Sequence, residues 1–146
     1  MQNNSNETTT VVNELIEALN EREAGYRKAS DLVQNSEARE LFNRYAAQSA
    51  RFAAELLPYS DERSTEEVGK GPLSALWRGW ADVKAAFTGH DTKALYAWAE
   101  TGEDVAKKIF EGAFENGIPS EIQALVQKQF SELKEAHGHI KALRDA

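Results

Sequence analysis

Four stretches of this chain repeat one spacing, in which residues of an apolar row recur three or four places apart. In the first, Val12, Ile16, Leu19, Glu23, Tyr26, Ser30 and Val33 follow one another at 4-3-4-3-4-3. That spacing lays a stripe along one side of an α-helix, and a stripe this long needs neighbouring helices to cover it. The second stretch carries Ala38, Leu41, Tyr45, Gln48 and Phe52. The third carries Tyr96, Ala99, Glu103, Ala106, Phe110 and Ala113, and the fourth Ile122, Val126, Gln129, Leu133, Ala136, Ile140 and Leu143. No segment alternates apolar and polar residues as a half-buried strand would. The chain is expected to be all-α.

Turn and cap residues mark the ends of these stretches. Helices are expected over about 9–33, 37–57, 92–116 and from 119 or 120 to the C-terminus. Asn35-Ser36 separate the first two, with Ser36 as the cap of the second, and Pro58 ends it. Asp91 is placed to cap the third, Gly117 to close it, and Ser120 with Gln123 fits a capping box for the fourth. Residues 58–71 are polar and glycine-containing, a surface connection. A shorter helix follows over 72–87, with Pro72 in its first turn and Leu73, Leu76, Trp77, Trp80, Val83, Ala86 and Phe87 on one face. The opening "MQNNSNETTT" reads as a polar tail, disordered over 1–8, ahead of one domain over 9–146. Short links make two antiparallel hairpins, and a single long crossover joins them. That is ferritin-like connectivity. The expected fold is therefore an all-α, ferritin-like antiparallel four-helix bundle with a short extra helix in the long crossover.

Charge and composition narrow the partners. The chain has 146 residues, enough for one domain with a real core, and a net charge of −7. An acidic surface argues against nucleic acid and anionic membranes as partners. There is no cysteine, so disulfides, thiolate nucleophiles and zinc–thiolate sites are excluded. The apolar runs are far short of a membrane span, and the N-terminus lacks the features of a signal peptide. A cytoplasmic protein is the simplest expectation.

Two glutamates, Glu23 and Glu103, stand in the stripes where an apolar residue belongs. A lone buried carboxylate is costly unless it is paired or bound to metal. Metal-binding bundles of this connectivity place one Glu on each of two helices and a Glu-x-x-His on each of the other two. At the matching spacing the second helix has Gln48 and Arg51, and the fourth has Lys134 and His137. Of six expected ligands only Glu23, Glu103 and His137 remain. Two carboxylates facing an arginine and a lysine balance to zero without metal, and arginine cannot lose its proton to admit a cation. The expectation is a remnant polar cluster of Glu23, Gln48, Arg51, Glu103, Lys134 and His137 held by ion pairs, with no cofactor. The alternative is iron or another divalent metal held by Glu23, Glu103 and His137, acting as an iron-binding or di-iron-type oxidoreductase.

The stretch "SELKEAHGHI" sets His137 and His139 two apart, about 200° around a helix, so they cannot share one ion. His137 borders the core stripe, while His139 faces solvent beside Glu135. His90 falls in the "TGHD" turn. Trp77 and Trp80 are expected to clamp the crossover helix against the bundle or a dimer face. A third reading makes that face a protein-interaction surface.

The segments "NELIEALNEREAGYRKAS", "YAAQSARFAAELL", "LWRGWADVKAAFTGHD", "TGEDVAKKIFEGAFE" and "ELKEAHGHIKALRDA" together resemble a bacterial family of small ferritin-like four-helix-bundle proteins, classed as a domain of unknown function. The resemblance covers roughly residues 11–146. More distantly, the first and third helices resemble those of rubrerythrin-like proteins. The resemblance implies a ferritin-like fold, an unassigned activity and a role in stress or stationary-phase physiology. Departures at Gln48, Arg51 and Lys134 set the chain apart from iron-oxidising relatives. We therefore expect a non-catalytic bundle, homodimeric, with its metal site replaced by ion pairs.

Overall fold

In the computed structural model, which describes residues 2–65, 68 and 91–146 with side chains from residue 8 onward, four α-helices carry the chain. They are α1 (Gln2–Leu32), α2 (Ser36–Leu56), α3 (Thr92–Asn116) and α4 (Ser120–Asp145). Among the described residues there is no strand. The fold is all-α, as the stripe spacing predicts. The extra helix expected over 72–87, Trp77, Trp80 and His90 lie outside the described residues.

Local chemistry sets most of the ends. Asn35, in an extended conformation, caps α2 by accepting a hydrogen bond from the Ala38 amide at 2.9 Å. The cap is thus Asn35, one residue before the expected Ser36, which is the first residue of the helix. A short 3₁₀ turn, Leu57–Tyr59, follows α2 and takes in Pro58. Asp91 caps α3, accepting from the Lys93 amide at 2.9 Å. Gly117 ends α3 at φ 91°, a conformation that side chains with a Cβ rarely adopt. At α4 the cap position falls to Pro119, whose side chain makes no capping bond, so the expected Ser120–Gln123 capping box does not form. The helical backbone of α1 begins at Gln2, where a polar tail was expected. Extending an existing helix is easier than starting one, so helix can run past the last apolar position.

The core lies in two parts. One joins Tyr26 and Ala29 of α1, and Val33 just after it, to Ala38, Phe42 and Ala46 of α2, Leu95 and Ala99 of α3, and Ile140 of α4. The other joins Val12, Ile16 and Leu19 of α1 to Phe52 and Leu56 of α2, Phe110 of α3, and Ile122, Val126 and Leu133 of α4. The first therefore gathers the end of α1, the starts of α2 and α3 and the end of α4, and the second gathers the opposite ends. That fixes an up-down-down-up bundle. The end of α2 and the start of α3 lie at opposite ends of it, as one long crossover requires. Each large apolar side chain removed from water stabilises the bundle by about 1.5–3 kcal/mol.

The crossover begins by turning back along α1. Ser60 Oγ donates to Asn13 Oδ1 at 2.6 Å, and Asn13 Nδ2 to Asp61 Oδ1 at 3.2 Å. Higher up, Asn20 Nδ2 donates to the carbonyls of Thr65 and Val68 at 2.8 and 3.2 Å. Val68 is buried with the second core group. Gln129 of α4 is buried and ties that helix to α2, donating through Nε2 to the Phe52 carbonyl at 3.2 Å and to Glu55 at 3.1 Å.

Candidate functional site

Between the two core groups runs a polar layer. On α1 it falls at Arg22, between Leu19 and Tyr26; on α2 at Ser49; on α3 at Glu103. Arg22 and Glu103 side chains are 0% and 1% exposed. Arg22 Nε donates to Glu103 Oε1 at 2.5 Å and Nη2 to Oε2 at 3.0 Å, a two-point grip on one carboxylate. The remaining nitrogen, Nη1, donates to Ser49 Oγ at 2.8 Å and to the Tyr45 carbonyl at 3.4 Å. The Ser49 hydroxyl in turn donates a hydrogen bond to the same carbonyl at 2.9 Å. The guanidinium carbon also lies over the Tyr26 and Tyr45 rings, 5.3 and 5.4 Å from their centres, within cation–π range.

The electrostatics follow. Burial alone would lower the Arg22 pKa, but the charge and hydrogen bonds of Glu103 outweigh it and raise it. Burial, followed by the nearby Glu103 carboxylate, holds the Tyr26 hydroxyl well above its ordinary value. The same causes push Tyr45 up to about 12. The layer is thus a charge-balanced, hydrogen-bonded group that keeps Arg22 a cation.

The six residues of the expected cluster do not converge. Glu103 lies at the bundle centre, but its partner is Arg22, which is not among the six. Glu23 turns to the rim, where its Oε2 accepts from Arg27 Nε at 2.9 Å. Arg51, 57% exposed, pairs with Glu132 at 3.2 Å and stacks over Phe52. Lys134 is exposed and rests its ammonium 4.8 Å from the Phe130 ring centre. Gln48 is half-buried, with its Oε1 out of reach of water. His137 contacts Asp104 rather than either seam glutamate. His139 is exposed as expected, but its Nδ1 meets the Tyr45 hydroxyl at 3.1 Å rather than Glu135.

A signal for Arg22 was present in the spacing. Arg22 is three residues after Leu19 and four before Tyr26, and Glu23 is four after and three before. Both satisfy a helical stripe, and the long aliphatic stem of arginine lets it line a core while its head finds an acid.

The bundle centre does not fit a di-metal group. Such a site in this architecture draws on four carboxylates and two histidines. The polar layer offers one carboxylate, and both of its oxygens are engaged by Arg22. Among the described residues, the group of three His or carboxylate side chains whose ligand atoms all lie within 4.8 Å of one another is elsewhere: Glu100, Asp104 and His137.

No described helix is long and apolar enough to cross a membrane. A family model described as "Domain of unknown function (DUF2383)" matches residues 7–116, through the end of α3. No curated protein matches the chain.

Proposed function

Because the chain belongs to the DUF2383 family, whose description assigns no activity, we propose a function from the side chains themselves. The protein is a non-catalytic, ferritin-like helical bundle in which an arginine–glutamate pair stands where related architectures hold metal. One observation carries this reading: Arg22, fully buried, satisfies both oxygens of Glu103 and fills the bundle centre with a permanent cation. A metal ion there would have to displace a guanidinium that cannot be neutralised by losing its proton. The up-down-down-up order of the helices supports the ferritin-like kinship, since it calls for one long crossover.

The reading predicts a null redox result. Ferrous iron added aerobically to the untagged protein should oxidise no faster than in protein-free buffer. Oxidation clearly above the buffer rate, lost on replacing Glu103 by glutamine, would overturn it and restore an iron-oxidising centre. Oxidation, not bound iron, is the deciding readout, since a cation can also be held away from the centre.

A further inference from the structure

Away from the polar layer, α3 and α4 bring three side chains to one spot. Glu100 and Asp104 stand four residues apart, so both project from the same face of α3. His137 reaches across from α4, and its Nε2 lies 2.6 Å from Asp104 Oδ1. The His137 side chain is 17% exposed and Asp104 48%, so the spot borders water without being open on all sides. His137 Nε2 itself is shut off from solvent, and its approach to Asp104 is not aligned as a hydrogen bond. The ring nitrogen therefore stands beside the carboxylates without being satisfied by them.

The fourth participant is a cation. Arg144, from the last turn of α4, makes a close ion pair with Glu100 and a second one with Asp145 at 3.0 Å. Glu100 is thus held in the cluster by a charge that has another partner available. The backbones beneath are set by the core: Ala99, Glu103 and Ala106 on α3 and Leu133, Ala136 and Ile140 on α4 are buried. That packing fixes the points on the two helices from which the three side chains extend.

We propose that Glu100, Asp104 and His137 form a binding site for one divalent transition-metal ion of zinc's character, with Arg144 as its internal competitor at Glu100. One imidazole and two carboxylates suit a borderline cation, as distinct from calcium or magnesium, which prefer all-oxygen sets. Two carboxylates balance the charge of the ion, and three protein ligands leave a fourth position for water. Entry of the ion turns the His137 ring nitrogen and the Asp104 oxygen, now pressed together, toward a shared centre. Arg144 then leaves Glu100 and keeps Asp145. The site shares no residue with the polar layer and does not rest on the non-catalytic reading of the centre; zinc carries no redox chemistry, so the two tests fail independently.

Zinc chloride titrated into the metal-stripped, untagged protein, followed by calorimetry, tests it. One ion per chain is expected. His137→Gln and Asp104→Asn should each weaken binding by roughly tenfold or more, by analogy with the loss of a group that supports a metal site. His139→Gln, altering the neighbouring exposed histidine, should leave it unchanged. Arg144→Gln should tighten binding, because it frees Glu100. Circular dichroism of each variant confirms that the bundle is intact; Asp104 and Arg144 are partly exposed, so their variants report even if His137→Gln does not fold. Binding that ignores Asp104→Asn, or that is lost with His139→Gln, overturns the proposal. So does an Arg144→Gln protein that binds zinc more weakly than the wild type.

Discussion

Arg22 on α1 and Glu103 on α3 grip each other at two points, 2.5 and 3.0 Å, with neither side chain reaching water. Desolvating two charges offsets much of what their attraction supplies, so the pair is a poor source of net stability and a severe liability if broken. Glu103→Leu should therefore destabilise the bundle by about 3–5 kcal/mol, because it strands the arginine charge. Combining it with Arg22→Met should recover most of that loss or exceed wild-type stability. Urea unfolding followed by circular dichroism measures both. A double variant as unstable as the single one would mean the layer contributes through its shape and hydrogen bonds to Ser49 and Tyr45, not through charge balance.

The tyrosines beside that pair set an alkaline limit. Burial, then the Glu103 carboxylate, holds Tyr45 at about 12. In the unfolded chain a tyrosine ionises near ~10. The folded pKa is the higher one, so this contribution to stability is complete below about pH 10 and is lost as pH rises toward about 12. Stability measured by urea unfolding across that window should fall, and Tyr45→Phe should make the fall shallower. An unchanged slope would place the alkaline sensitivity elsewhere, with Tyr26 the next residue to replace.

Helix caps give a test of the chain's punctuation. Asn35 accepts from the Ala38 amide, whereas Ser120 is the first residue of α4 and the Pro119 before it makes no side-chain cap. Asn35→Ala should lower stability by about 1 kcal/mol, and Ser120→Ala should change it by less than half as much. Thermal melts of the two variants decide it. Equal losses would restore the capping box at Ser120.

Phe42 stacks 5.6 Å from Tyr26 and meets Tyr96 edge-on at 5.9 Å, fully buried between them. Phe42→Ala should cost about 3–5 kcal/mol through lost transfer energy and an unfilled cavity. A cost below about 1.5 kcal/mol in a chemical melt would show that the surrounding rings close the gap.

How far the chain could be read in advance depended on whether the answer lay in spacing or in partners. The rows through Ala99, Ala106 and Phe110 on α3, and through Ile122, Val126 and Leu133 on α4, were legible because burial follows helical period directly. The choice between Arg22 and Glu23 was not. They are adjacent, both steps are allowed by the helix, and only the facing Glu103 decides between them. Lys134 and Arg51 looked like core residues from their i, i+3 relations. Their long stems let them leave the seam and lie over Phe130 and Phe52 instead. The Glu100–Asp104–His137 group was missed for a different reason. It depends on how α3 and α4 rotate against each other, which the spacing around His137 within one helix does not encode.

The division of the core into two groups has a consequence for how the molecule comes apart. Each group takes residues from all four helices, and neither belongs to one hairpin. A hairpin detached from the other would expose half of both groups at once, with no complete set of neighbours left to it. Parting the two hairpins therefore opens both groups together rather than one at a time. The two groups meet crosswise, at the layer of Arg22, Ser49 and Glu103, so fraying from either end loosens one group before it reaches the buried ion pair.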